Sequence, residues 1–507
     1  MKKLVILSLI GLLIMAFGIT AYAQAPAPIL EFKASGFIDV ISELNMNVPN
    51  PGWATSAAGA TSRNDVLFGP PPDYFLPAAN QAFDKTNSFM WTRGRLKFDA
   101  IMGKEMSGTF FFEFDSTRWG EKVPAGSTAQ RNYSGFWSVA DRSSMELKNM
   151  FITFGMPYFG IPLPITVQAG IHPLAIRPGA FLITDGPGIT VTAKADPFNV
   201  KLAWFKALEN KDWASDDADV YALEAYLRFK TITIGAYVFD MNSNSYPGND
   251  GEPLYKSDMW WFGGYADGML GPFNFNLDLV FNNGKVEDRS PAGILPKVDY
   301  SGWGYKVNAY VPWDKWTFGG ASVFGSGANQ KKTSASGLPG TSVANGIGLS
   351  SKSSAFITPW GSEGTVGDSL ILCGNGVNRM NTGFLPAAAG AHARAAFGGL
   401  WINKLYSSVK FAPWFKTTLE AMYILDTTDN GNTIGTARSG GLPRNDNSIG
   451  WEFDLINEIT IYKNLQFAIA GGYLFAGDAM DYYNTTTLGN ESPKNPWVIT
   501  TKLIYSF

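Results

Sequence analysis

The last eleven residues of the chain alternate without a break. Trp497, Ile499, Thr501, Leu503, Tyr505 and Phe507 share one parity, and Val498, Thr500, Lys502, Ile504 and Ser506 share the other. A period of two is the mark of a strand, because successive side chains point to opposite faces. The first set carries aromatics at both ends, and the second carries a lysine. The pattern recurs far upstream. Phe273, Phe275, Leu277, Leu279 and Phe281 alternate with Asn274, Asn276 and Asp278. Tyr221, Leu223, Ala225, Leu227 and Phe229 alternate with Glu224, Tyr226 and Arg228, and Trp451, Phe453 and Leu455 with Glu452 and Asp454. A strand that is apolar on one face and polar on the other fits a soluble sheet over a core. It also fits a barrel wall with lipid outside and water inside.

Composition separates these settings. Of 507 residues, 45% are hydrophobic and 14% aromatic, 55 are glycine, and only 16% are charged. Soluble domains carry about 25% charged residues. Such a chain is too aromatic and too poor in charge to be disordered. The one cysteine, Cys373, excludes an intramolecular disulfide framework, and two histidines leave little for a metal site. The only long apolar run is Leu4 to Ile19, so a helical membrane bundle is excluded. That run follows Lys2 and Lys3 and precedes Ala21-Tyr22-Ala23, the layout of a secretory signal peptide over 1–23. The alternative, an uncleaved anchor, requires a span of roughly 20 residues and a basic stop-transfer cluster, and neither is present. Residues 24–507 are then one barrel domain. Loss of Lys2 and Lys3 leaves 38 basic and 43 acidic residues, too mild a balance to point to nucleic acid. In lipid only helices and closed barrels satisfy every backbone group, so the fold expected is all-β, a transmembrane antiparallel barrel.

Turns fall into two kinds. Gly103-Lys104, Asp196-Pro197-Phe198, Gly271-Pro272, Trp313-Asp314-Lys315, Ala412-Pro413-Trp414 and Tyr462-Lys463-Asn464 are short. Longer connections rich in Gly, Ser, Asn and Pro alternate with them, matching short periplasmic turns and long external loops. Strands are expected at 29–46, 88–102, 105–115, 143–156, 164–172, 188–195, 198–208, 218–229 and 231–241. The rest are expected at 257–270, 273–283, 298–312, 315–325, 403–413, 416–427, 447–462, 465–478 and 496–507. The count is eighteen, or sixteen if 164–172 and 188–195 are not strands, and either leaves an aqueous lumen.

Charge on the lipid face costs about 2–4 kcal/mol at the midplane, so strand charges should face the lumen. Arg93, Arg95, Lys97 and Asp99 share one face, opposite Gly94, Leu96, Phe98 and Ala100. The same rule points Lys194, Lys201, Arg228, Lys306, Lys410 and Lys502 inward, with Glu113, Glu224, Asp278, Glu420, Glu452 and Asp454. Closure of the barrel brings Lys33, Arg93, Arg95 and Lys502 together as a basic sector, with Glu452 and Asp454 two strands further round. Two loops, roughly 47–87 and 326–402, are long enough to enter the lumen or cover its mouth, or else to be solvated surface or a contact to a neighbouring protomer. Cys373 has no activating neighbour in the sequence, and His172 and His392 are 220 positions apart, so no catalytic triad or nucleophile motif is present. The chain reads as a non-enzyme with no cofactor and no metal.

Several segments resemble the porins of the bacterial outer membrane, nearest to the homotrimeric porins of sulfate-reducing and related bacteria. The carrying residues are Arg93-Gly94-Arg95-Leu96, Phe112-Glu113-Phe114-Asp115-Ser116-Thr117-Arg118-Trp119-Gly120 and Glu146-Leu147-Lys148-Asn149-Met150-Phe151-Ile152-Thr153-Phe154. They continue in Ala169-Gly170-Ile171-His172-Pro173-Leu174-Ala175 and Asp185-Gly186-Pro187-Gly188-Ile189-Thr190-Val191, and together cover about residues 88–195. The terminal Phe507, with Tyr505 two before it, looks like the assembly signal of such barrels. The resemblance implies a trimeric channel for small hydrophilic solutes and ions in the outer membrane of a Gram-negative-type bacterium, inserted by the barrel-assembly machinery through the C-terminal strand. It also implies an inward-folded third loop, here roughly 173–187 with Arg177 and Asp185 as constriction candidates. That loop is short for a full plug, and the acidic constriction motif of the enteric porins is absent.

The leading expectation is therefore a water-filled diffusion channel. The alternative is a substrate-specific channel for organic acids or other anions, built on Lys33, Arg93, Arg95, Lys97 and Lys502. An outer-membrane enzyme lacks its catalytic residues here. A sheath around an electron-transfer partner would co-purify with haem. A plugged 22-strand transporter needs more than 484 mature residues.

Overall fold

A computed structural model describes residues 30–47, 86–115, 119, 144–156, 163–209, 217–246, 255–288, 297–329, 352–359, 369–372, 397–435, 437–484 and 487–507. The signal peptide, most of the first long loop, Cys373 and His392 lie outside them.

Eighteen antiparallel strands form one wall. The first nine are β1 (Leu30–Met46), β2 (Thr86–Met102), β3 (Met106–Asp115), β4 (Ser144–Gly155), β5 (Ile165–Ile176), β6 (Leu182–Ala195), β7 (Phe198–Leu208), β8 (Ala218–Arg228) and β9 (Ile232–Tyr246). The others are β10 (Tyr255–Leu270), β11 (Phe273–Asp288), β12 (Lys297–Trp313), β13 (Trp316–Gly325), β14 (Leu400–Ala412), β15 (Phe415–Asp426), β16 (Ser448–Tyr462), β17 (Leu465–Ala476) and β18 (Trp497–Ser506). Each strand pairs with the next, and β18 pairs with β1 from Met46 opposite Trp497 to Phe37 opposite Ser506. Closure removes both sheet edges, as a wall in lipid requires. The count of eighteen agrees with the reading of the alternation. Among the described residues no helix is long and apolar enough to cross a membrane.

The two faces follow the sequence period. Phe98, Ile152, Leu202, Phe281, Leu419, Phe453 and Leu503 project outward and are exposed, forming an apolar belt. Asp39, Glu113, Glu224, Asp278 and Lys502 project inward and are buried. The last residue completes the seam. Gly36 donates its N–H to the Phe507 carbonyl at 2.8 Å, and Phe507 donates to the Gly36 carbonyl at 3.0 Å.

β5 and β6 run further than the alternation predicts, and the reason is topological. β4 pairs with β5 only as far as Ile171, and β6 meets β7 only from Gly188. Beyond that rung the β5–β6 hairpin leaves the wall and continues inside the barrel. Gly170 and Gly188 face each other at the departure point. Gly170 has φ of +127°, and a Cβ there would sit 2.4 Å from the Met150 carbonyl oxygen. One added to Gly188 would sit 2.4 Å from that of Trp204. Both positions exclude a side chain.

The largest apolar cluster lies inside the barrel, towards its long-loop end. Leu174, Ile176, Phe181 and Leu182 of the hairpin pack on inward residues of β7 to β10. The connection between β13 and β14 contributes Phe356, Ile357, Phe397 and Leu370 to the same cluster. Its segment Lys352–Ser353 runs parallel to β12 at Asp299 and Tyr300, where β13 no longer pairs. Of the two readings of that loop, residues 352–354 extend the wall beside β12, while 355–357 and 370–372 fold inward into the cluster.

Candidate functional site

The lumen is narrowed by the β5–β6 hairpin, held at both ends. At its base Asp185 accepts from Lys148 Nζ at 2.8 Å and Asn149 Nδ2 at 2.7 Å, both on β4. At its tip Arg177 reaches β10 and β11. Its Nη1 and Nη2 bind Asp267 at 2.5 and 2.7 Å, a bidentate fork. Nη2 also binds Asp278 at 2.9 Å, and Nε bonds the other Asp278 oxygen. The guanidinium lies 4.2 Å from the Tyr265 ring centre. Phe181 fills a nest of Tyr237, Phe239 and Trp261, stacked on Tyr237 at 4.9 Å. Two lysines finish the seat: Lys306 donates to the Gly179 carbonyl at 3.3 Å and Lys201 to that of Ala175 at 3.0 Å. Planar two-pronged recognition and stacking are the particular strengths of arginine. The hairpin thus crosses from β5–β6 to β9–β12 as a chord.

His172 sits at the hinge, wholly buried. It is stacked on Phe205 at 4.6 Å, with Nε2 against Thr190 Oγ1 at 2.9 Å and Nδ1 against the Gly170 carbonyl at 3.0 Å. With both ring nitrogens engaged and no acid in contact, it packs the hinge.

The basic row on β2 is not a bare cationic stripe. Arg95 Nε binds Glu113 at 2.5 Å, with Arg93 at 3.7 Å and Lys148 at 3.6 Å from the same carboxylate. Lys97 pairs with Asp99 at 2.9 Å. Lys33, opposite Asp99 in register, pairs with Glu31 at 3.4 Å near the barrel rim. Lys502 is buried on the rung with Ile41 and Ala468. Elsewhere Lys201 binds Glu224 at 2.6 Å, and Tyr265 donates its hydroxyl to Glu224 at 3.0 Å. Glu420 meets Lys404 at 3.3 Å. Arg228 lies 5.5 Å from the Tyr226 ring centre. Lys194 and Lys410 are exposed near the short-turn end, Lys410 opposite Lys416, which binds Glu458 at 2.6 Å.

Glu452 and Asp454 require a correction. The alternation places them on the inward face, but they do not meet the passage. They are 0% and 1% exposed because residues 369–372 lie over them. Ser369 donates its hydroxyl to Glu452 at 2.7 Å, the Ile371 N–H donates to Glu452 at 3.0 Å, and the Leu370 N–H to Asp454 at 3.2 Å. These carboxylates anchor the folded-in loop, an interaction that strand period cannot foresee.

Sequence reasoning missed Asp267, Tyr265, Lys148 and Phe181. The first two are legible from parity, since Asp267, Tyr265 and Trp261 share the inward face of β10. Lys148 is obscured by a register shift between β3 and β4. Nothing in the sequence marks Phe181 as the hairpin's anchor. Among the described residues no group of His, Cys, Asp and Glu has an arrangement that could hold a metal ion.

No family model matches the chain, and no curated protein matches it. Solved structures do. OccK11 (OpdR) of Pseudomonas aeruginosa aligns at 9% identity over 96% of this chain and 99% of its own, with a TM-score of 0.47. OccK8 (OprE) of the same organism aligns at 11% identity over 94% and 98%, also at 0.47. OpdK of that organism, solved with vanillate, aligns at 8% identity over 94% and 99%, at 0.44.

Proposed function

We propose that this protein is an outer-membrane porin, a water-filled channel for passive diffusion of small hydrophilic solutes and ions. The observation that carries the reading is a closed eighteen-strand wall, apolar outside and charged on its inner face, with a latched hairpin folded inside it. A barrel of this size encloses an aqueous channel unless it is plugged. The short-turn end is then periplasmic and the long-loop end external. The charges support weak selectivity. Glu113 stands among Arg93, Arg95 and Lys148, and Asp99 beside Lys97. Paired charges of both signs present a smaller net field to a passing ion than a ring of one sign. The same pairing counts against the anion-specific alternative built on Lys33, Arg93, Arg95, Lys97 and Lys502.

Purified protein in a planar bilayer tests the proposal. Expected are discrete ohmic steps whose conductance rises with salt without saturating. Saturable conductance blocked by an organic anion would favour the specific channel instead. The proposal includes export by the N-terminal segment, a trimeric assembly and insertion through the strand ending at Phe507. Cross-linking of the detergent-purified protein reads the oligomeric state, with a three-copy band expected.

A further inference from the structure

A cavity of about 810 Å³ opens near the long-loop end, away from the lumen, on the outward face of β10, β11 and β12. Two rungs across these strands line it, and an apolar rung follows just outside it. The outermost rung is Asp258, Lys285 and Asp299, neighbours in register. The next is Trp260, Asn283 and Ser301. Directly below come Phe262, Phe281 and Trp303, all exposed and continuous with the apolar belt. Segment 352–354 and residues 329 and 429 line the remaining side of the cavity.

The order of the rungs is a chemical specification. The indole of Trp260 is 39% exposed, and its Nε1 donates to Asp258 Oδ1 at 3.0 Å, which fixes the ring. A fixed, exposed aromatic face suits the C–H face of a pyranose ring. Asn283 offers both donor and acceptor, the Asp258 and Asp299 carboxylates accept, and the Lys285 ammonium donates, which suits neighbouring sugar hydroxyls. Three large apolar side chains one rung lower suit acyl chains. Aromatic residues gather where a barrel meets the lipid interface, and this set marks that level.

We propose that this cavity binds the saccharide headgroup of an outer-leaflet glycolipid, with its acyl chains lying along Phe262, Phe281 and Trp303. The inference rests on the membrane reading of the wall. A free saccharide has no use for the apolar rung, and a simple phospholipid has none for the Trp260–Asn283 rung.

The test uses detergent-purified full-length protein and three probes: lipopolysaccharide with a truncated core, its deacylated saccharide, and phosphatidylglycerol. Wild type should bind the lipopolysaccharide, and Trp260→Ala and Asn283→Ala should each weaken binding at least tenfold. The deacylated saccharide should compete, but at least tenfold less well than the intact glycolipid, and phosphatidylglycerol should not compete. Retention of the heat-modifiable band on gels shows that each variant is folded. Unchanged binding by both variants, or full competition by phosphatidylglycerol, would overturn the site. Competition by the saccharide equal to that of the glycolipid would overturn the lipid source. Conductance of the same preparations is recorded in parallel. Its loss in wild type would count against the channel, whereas intact conductance without glycolipid binding would count against this site alone.

Discussion

Arg177 latches the hairpin tip to β10 and β11. It has φ of +48°, a conformation that costs a non-glycine residue roughly 1 kcal/mol or more. Its bonds to Asp267 and Asp278 and its stacking on Tyr265 hold it there. Removing one partner of a buried charge pair costs about 3–5 kcal/mol. Arg177→Ala should therefore unseat the hairpin tip by about 3 kcal/mol, and single-channel records should show larger, flickering conductance. Arg177→Lys should restore little of this, because an ammonium cannot make the two-pronged contact. A steady wild-type trace in both variants would show that the latch does not set the width. At Arg95 the expected effect is electrostatic. Arg95→Glu puts a second carboxylate beside Glu113, and the reversal potential in a salt gradient should move towards cations. No movement would place Arg95 outside the narrow region.

Among the elements, β18 was the most legible in the sequence, with its five outward positions and the following Phe507 keeping the alternation. Phe507, just past the strand, pairs with Gly36 and is 46% exposed, so deleting it removes a rung of closure and an outward-facing aromatic. The deletion should impair insertion in cells more than refolding in detergent, as read by membrane fractionation and heat-modifiability. Equal loss in both would argue against a role in assembly. The β5–β6 hairpin was legible only in part. Its wall portion alternates, but Leu174, Ile176 and Phe181 were not readable as interior anchors, because the residues they pack with, such as Tyr237 and Trp261 beside Phe181, lie on distant strands. β9 and β10 show the reverse effect. Tyr237, Phe239, Met259 and Trp261 face inward yet are apolar, because they meet the hairpin instead of water. Period two blurs wherever both faces of a strand are covered. At the hinge, Gly170→Val should displace the hairpin, since its Cβ would clash with Met150. Higher conductance with retained heat-modifiability would support this, and an unchanged pore would contradict it.

At the scale of the whole molecule, low charge and high aromatic content follow from one geometry. On the proposed membrane reading alternate wall residues face lipid, so charge is concentrated in the lumen, at strand ends, and in turns and loops. Within the lumen most of the ionised groups placed by strand period are matched with groups of opposite sign. In the proposed channel, the paired charges and the latched hairpin give a narrowed passage with little net preference. A single-channel record across a salt gradient tests this most directly. The account predicts ohmic, non-saturating steps with a reversal potential close to zero. No conductance, or a strongly anion-selective current that saturates and is blocked by an organic acid, would contradict it.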